Sequence, residues 1–191
     1  GLVTLQITVS LVLLAGAGLF VRTLVNIRAL DLGMDVSGVA GFLVDPGRLG
    51  HEPERAERTL HEVATRLAAA PGIEGAAVTW STPFGNARDE LALARPDAPS
   101  VWHEAAASGV SPGYFATMGI PMLAGRDFTA AEFGRRNTTS GVVILSRALA
   151  ERLFPGGGAV GARLRLQHPP QMEVEVVGVV GDVRGRPVTK D

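Results

Sequence analysis

Residues 2–21 read LVTLQITVSLVLLAGAGLFV, twenty positions without a charge, and this run constrains the chain more than any other feature. At about 1.5 Å of rise per residue it makes a helix of about 30 Å, the thickness of a bilayer's hydrocarbon core. Thr4, Gln6, Thr8 and Ser10 lie toward one end; Ser and Thr hydroxyls there can bond back to helix carbonyls. Ala15, Gly16, Ala17 and Gly18 form a small-residue patch where a neighbouring helix can come close. A cleaved signal peptide has a shorter apolar region, about 7–15 residues, with basic residues before it and a small-x-small site after it. Here no basic residue precedes the run, and helical patterning continues to Leu30. A buried helix of a soluble domain seldom runs so far without a charge. The pattern favours a membrane anchor. Leu24, Ile27 and Leu30 keep helical spacing while Arg22, Asn26 and Arg28 are polar, so the anchor is expected to continue as a stalk. Asp31-Leu32-Gly33 ends it, with Gly33 able to take a left-handed cap, giving a first segment of 1–33.

The residues that follow suffice for one globular domain with a core. Residues 39–44, bounded by Gly38 and Pro46, read as a strand. Pro53 opens a helix to about residue 70 that presents Ala56, Leu60, Val63, Ala64, Leu67 and Ala68 on one face. Residues 73–80 read as the next strand, so the three elements make a β-α-β unit with parallel strands. Residues 86–100 are polar and Pro-containing, which predicts a loop or weak hairpin, and 101–110 a strand. Ser111 and Pro112 suit the N-cap and first position of a short helix ending at Gly119. Further on, 134–141 reads as a loop, 142–145 as a strand, Ser146 as the cap of a helix to Phe154, and 162–166 and 173–183 as strands. This alternation gives a mixed class, α/β or α+β.

The composition narrows the function more than it identifies it. Lys plus Arg number 18 and Asp plus Glu 19, for a formal charge of -1. That excludes a strongly basic nucleic-acid binder, and the absence of cysteine excludes a disulfide scaffold and a Cys-based zinc site. His51-Glu52, His61-Glu62 and His103-Glu104 each lack the second histidine four residues on, where Arg55, Thr65 and Ala107 stand. A zinc-protease helix needs both imidazoles on one face. Gly178-Val-Val-Gly181 lacks the third glycine and the following helix of a dinucleotide loop. No P-loop is present. Asp89, Glu90, Asp127, Glu173 and Glu175 are scattered carboxylates, read as solvated. Asn137-Thr138-Thr139 matches a glycosylation sequon, which matters only in a eukaryotic secretory route. No catalytic, cofactor-binding or metal-binding residue emerges.

Other residues carry a resemblance. Val110-Ser-Pro-Gly-Tyr-Phe115 and Met118-Gly-Ile-Pro-Met-Leu-Ala-Gly-Arg-Asp-Phe128 resemble the periplasmic core domain of MacB-like ABC transporter permeases. So do Val143-Ile-Leu-Ser-Arg-Ala-Leu-Ala-Glu-Arg-Leu-Phe-Pro155, then Gly161, and Val176-Val-Gly-Val-Val-Gly-Asp-Val-Arg184. Leu5-Gln6, 11–14 and 16–19 resemble the helix that opens the second half of the duplicated, FtsX-like permeases called acidobacterial. The residues singled out as structural are Ser111, Pro112, Gly113, Tyr114, Phe115, Gly119, Gly125, Arg126, Phe128, Phe154, Pro155, Gly161, Gly178 and Gly181. Tyr114 and Phe115 are expected to anchor the short helix into the sheet, and 125–128 to form a turn.

The resemblance implies a two-part α/β extracytoplasmic domain, 34–110 and 111–191, behind one long transmembrane and stalk helix. It implies no catalytic residue and no cofactor in this chain, ATP binding a separate subunit. Its implied partners are the membrane, that ATP-binding subunit, a second permease copy and a periplasmic adaptor, and no nucleic acid. It places residues after about 31 outside the bacterial inner membrane, whereas Arg22 and Arg28 would place that flank inside on charge alone. The returning segment and further membrane helices of such permeases are missing, so the chain reads as a fragment of a longer permease that relays ATP-driven motion for efflux or envelope transport. A membrane-anchored module gripping a lipid, a lipoprotein or a partner protein is the competing reading and needs an exposed apolar groove. An anchored hydrolase needs a convergent polar pocket.

Overall fold

The computed structural model describes residues 1–28, 33–35, 37–44, 53–80, 89–133, 140–167 and 172–183. The chain divides into two units, Gly1–Leu32 and Gly33–Asp191. The first is a single helix, α1 (Leu2–Arg28), 27 residues long and solvent-exposed wherever its side chains are described. A 25-residue stretch of it, Leu2–Asn26, is long and apolar enough to cross a membrane. At about 1.5 Å per residue, 25 residues exceed the roughly 30 Å of hydrocarbon. Thr8 and Thr23 donate their hydroxyls to the carbonyls of Thr4 and Leu19, both at 2.9 Å, so neither is left unbonded in an apolar medium. The helix continues without a break through 22–28. The predicted stalk residues 29–32 lie outside the described residues.

The second unit is built on a six-stranded sheet. Its elements are α2 (Pro53–Ala68), β1 (Asp89–Ala94), β2 (His103–Ala107), α3 (Tyr114–Thr117), β3 (Met122–Gly125), β4 (Ser140–Ser146), α4 (Arg147–Leu153), β5 (Arg163–Leu166) and β6 (Met172–Val180). β6 is central. β4 runs parallel to it from Glu173 to Val180, while the other edge is shared by two antiparallel strands, β5 over 172–175 and β3 over 178–180. β5 then pairs antiparallel with β1, and β1 with β2.

Valines make β6 the centre. Val174, Val176 and Val179 enter a core with Leu93, Leu145, Leu153 and Leu164. Val180 faces a second cluster with Met118 and Ile120. The C-terminal half of β6 is therefore buried on both faces, which suits a continuous apolar run rather than an alternating one. Neighbouring β4 divides the same way: Val143 and Leu145 face the first cluster, and Ile144 the second. α4 covers the first cluster with Ala150 and Leu153.

Several expectations are corrected. Residues 39–44 form no strand among the described residues, and Leu43 is 91% exposed. Residues 73–80 do not run parallel to them. Their end pairs antiparallel with 109–111: Thr79 bridges Val110, Trp80 N–H donates to the Gly109 carbonyl at 3.0 Å, and Ser111 N–H to the Val78 carbonyl at 2.9 Å. The β-α-β unit is therefore absent from the described residues. A short apolar run declares that a segment seeks burial, but not which strand lies beside it. Residues 89–94, expected to be loop or weak hairpin, are the well-paired strand β1, and the polar signal belongs to the turn that follows. There Arg95 binds Asp97, and Ala98 and Val101 N–H groups donate to the carbonyls of Arg95 and Ala98. The strand read over 101–110 is confined to β2 and the bridge at Val110. The strand expected to reach residue 183 stops at Val180. α2 forms as expected but is rotated. Ala64 is buried with Leu60, His61 and Leu67 half-buried, while Val63 and Ala68 are exposed. β1 and β2 join β5 and β6 over one core. The loop and sequon at 134–139, His51-Glu52 and any return beyond 183 lie outside the described residues.

Candidate functional site

The quoted motifs converge on one corner of the second unit, at the C-terminal end of β6. Ser111 is 2% exposed, yet it is not the side-chain cap of α3. Its hydroxyl instead accepts the Val78 N–H at 2.8 Å and donates weakly to the Pro112 carbonyl at 3.3 Å. With Ser111 N–H on the Val78 carbonyl, it ties segment 73–80 to the motif by two bonds. Half-buried Pro112 leads into Gly113, which holds the N-cap position with φ 82°. Gly113 N–H donates to Asp127 Oδ2 at 2.9 Å, and Asp127 Oδ1 accepts Phe128 N–H at 2.7 Å. One carboxylate thus joins the two motif stretches. Sequence reasoning left Asp127 among scattered carboxylates; its place between Gly125-Arg126 and Phe128 gave no sign of its distant donor.

Tyr114 and Phe115 pack edge-on, ring centroids 5.6 Å apart, and both line the second cluster with Val180 and Ile144. Phe128 lies 6.3 Å from Phe115, so the turn after β3 extends this apolar wall. Burial pushes the Tyr114 hydroxyl above the ordinary tyrosine range.

The turn itself rests on Gly125 and Arg126. Gly125 has φ +76°, and a Cβ there would lie 2.2 Å from the Val177 carbonyl oxygen. Opposite it, a Cβ on Gly178 would lie 2.6 Å from the Arg126 carbonyl oxygen. Two glycines facing each other let β3 and β6 approach closely. Arg126 N–H then donates to Val177 O at 2.9 Å. That residue sits where the β4–β6 register shifts. The Arg126 guanidinium grips Glu132 with two bonds of 2.9 and 2.7 Å, and Glu132 also accepts from the Thr129 N–H and hydroxyl. These bonds, the Arg126 bond first, hold the Glu132 carboxyl down at about 2. Glu132 raises the Arg126 guanidinium in turn. Phe133, next in the chain, packs edge-on against Trp80 and tilted against His61 of α2, with ring centroids at 5.2 and 5.4 Å.

The chain also enters the second unit at this corner. Gly33 takes φ +70°, and a Cβ there would lie 1.9 Å from the Asp182 carbonyl oxygen. Asp35 N–H donates to the Met118 carbonyl at 3.0 Å, and a Cβ on Gly119 would lie 2.8 Å from that of Asp35. Gly181 N–H donates to the Pro121 carbonyl at 2.9 Å. Asp182, just past β6, accepts Ala148 N–H at 2.8 Å and so helps Ser146 cap α4. The inlet of the unit and the end of its central strand are thus one joint. Asp35 itself carries a local turn: Ser37, through its hydroxyl and then its N–H, holds the Asp35 carboxyl below its ordinary range.

Three singled-out residues lie elsewhere. The Phe154 ring sits 5.2 Å beneath the Arg95 guanidinium, Pro155 follows in an exposed turn, and Gly161 N–H donates to the Val176 carbonyl at 2.7 Å. They brace α4 and β5. Among the described residues no three His, Asp or Glu side chains group as they would around a metal ion. At the corner the carboxylates of Asp127, Glu132 and Asp182 each hold main chain or a guanidinium. Such an arrangement holds local geometry.

The sequence profile of the MacB-like periplasmic core domain matches residues 2–189. Two solved structures are similar: the periplasmic region of MacB from Actinobacillus actinomycetemcomitans and the extracellular domain of the noncanonic ABC-type transporter YknZ from Gram-positive bacteria. The first is 18% identical with a TM-score of 0.43, covering 64% of this chain and 50% of that one. The second is 19% identical with a TM-score of 0.43, covering 65% and 58%. The chain thus matches half the length of the first and under three-fifths of the second. No protein of curated function matches it.

Proposed function

The chain belongs to the MacB-like periplasmic core domain family, the extracytoplasmic domain of ABC transporter permeases, and from that premise we propose that it relays ATP-driven motion across the bacterial inner membrane. In this reading α1 crosses the bilayer and residues after about 31 lie outside. ATP is hydrolysed by a separate cytoplasmic subunit, and this chain carries no cofactor of its own. A second permease copy and a periplasmic adaptor complete the machine, whose output is efflux or envelope transport.

The observation that carries the proposal is the joint. Gly33 and Asp35 fit against Asp182 and the 118–119 turn, so a displacement delivered where the chain enters the unit acts at once on the end of β6. The unbroken helix from Leu2 to Arg28 supplies a stiff lever, and packed elements with two arrangements convert a small shift into a larger one. Replacing Leu24 and Ile27 by Gly tests this in the full permease with its ATP-binding subunit. Each glycine costs an exposed helix about 1 kcal/mol and adds flexibility. ATP hydrolysis should persist while transport falls; transport that keeps pace with hydrolysis would contradict the lever.

A further inference from the structure

The chain has four methionines, and three of them gather at the joint. Met118 is buried in the second cluster, and Met34 and Met122 pack against it. The fourth, Met172, packs against the other core. Met34 and Met122 are half-buried, so a small oxidant in solvent reaches them. Met34 lies between the two residues that seat the inlet: Gly33, fitted to the Asp182 carbonyl, and Asp35, bonded to the Met118 carbonyl at 3.0 Å. A thioether suits such a site because it is apolar and adaptable. A sulfoxide does not, since it places a strong, chiral polar group where apolar packing is needed.

We propose that this cluster makes the joint sensitive to oxidants: sulfoxidation of Met34 and Met122 by a hypohalous acid loosens the Asp35–Met118 clasp, and reduction of the sulfoxides restores it. With hypochlorous acid, the sulfur–oxygen bond forms as the oxygen–chlorine bond breaks. The sulfur loses two electrons, chloride leaves, and the hydroxyl proton is released. The product is a neutral sulfoxide that methionine sulfoxide reductases return to the thioether. The loosening belongs to the joint and occurs whether or not the joint relays motion.

The test treats the full chain in detergent micelles with limiting hypochlorous acid, locates added oxygen by peptide mass spectrometry, and follows amide hydrogen exchange. Peptides spanning 34–40 should exchange about tenfold faster once Met34 and Met122 are oxidised, while β5 stays protected. Sulfoxide reductases should reverse the change. Met34→Leu with Met122→Leu should abolish it and Met172→Leu should leave it, these swaps being close in volume. If the double variant does not fold, each single variant should weaken the response. Unchanged exchange with both sites oxidised overturns the proposal. So does a response that survives the leucines, oxidation confined to Met172, or equal acceleration in β5.

Discussion

At Gly125 a backbone φ of +76° and a carbonyl 2.2 Å from the missing Cβ act together. Gly157 offers the contrast: its φ is +83°, but nothing lies within 4 Å. Gly157→Ala should therefore lose only the conformational term, about 1–2 kcal/mol. Gly125→Ala must also push β3 from β6 and should cost clearly more, read from urea midpoints; equal losses would refute the close approach. Glu132 gives a pH-dependent case. Its folded value near 2 lies below the ordinary 4.5, so its stabilisation is complete above pH 4.5 and is lost as pH falls toward 2. Glu132→Gln should be less stable than the parent at neutral pH, and the gap should close over that acid window. A gap independent of pH would show that the Arg126 bond contributes nothing through charge. Ser111 shows what one residue reveals in sequence and what it hides. Its position before Pro112 suggested a helix N-cap, but its hydroxyl serves Val78, 33 residues away. Ser111→Ala leaves a part-buried N–H without its acceptor and should cost about 1–3 kcal/mol in urea unfolding.

Elements whose signals are local were legible. β4, α4, β5 and β6 follow from an apolar run, a serine cap and a valine-rich stretch, and they lie within a residue or three of the expected bounds. Those that depend on a distant neighbour were not: β1 looked like loop or weak hairpin because its leucines are flanked by the polar turn at 95–100. Segments 39–44 and 73–80 looked like strands because hydrophobicity reports the need for a partner, not the partner's position. The cap of α4 has the same division. Ser146 was evident, yet its Oγ is 3.4 Å from Leu149 N, whereas Asp182 holds Ala148 N–H at 2.8 Å. A carboxylate at a helix N-terminus also meets the helix dipole. Asp182→Ala should therefore destabilise α4 more than Ser146→Ala, by hydrogen exchange of 147–153; the reverse order would return the cap to Ser146 alone.

For the whole molecule, the proposed function requires a sheet unit held outside the cytoplasm by α1. The motifs read from sequence gave the family, and the family match over 2–189 agrees with them. The convergence of those motifs on one joint was not legible, because it is made by main-chain contacts between segments far apart in sequence. The chain has no cysteine, so a single one reports its own side of the membrane. Ser100, in an exposed turn after β1, is a suitable position. With Ser100→Cys in spheroplasts, a membrane-impermeant maleimide should label the protein fully before lysis. Labelling that appears only after lysis would place the sheet in the cytoplasm and contradict the account.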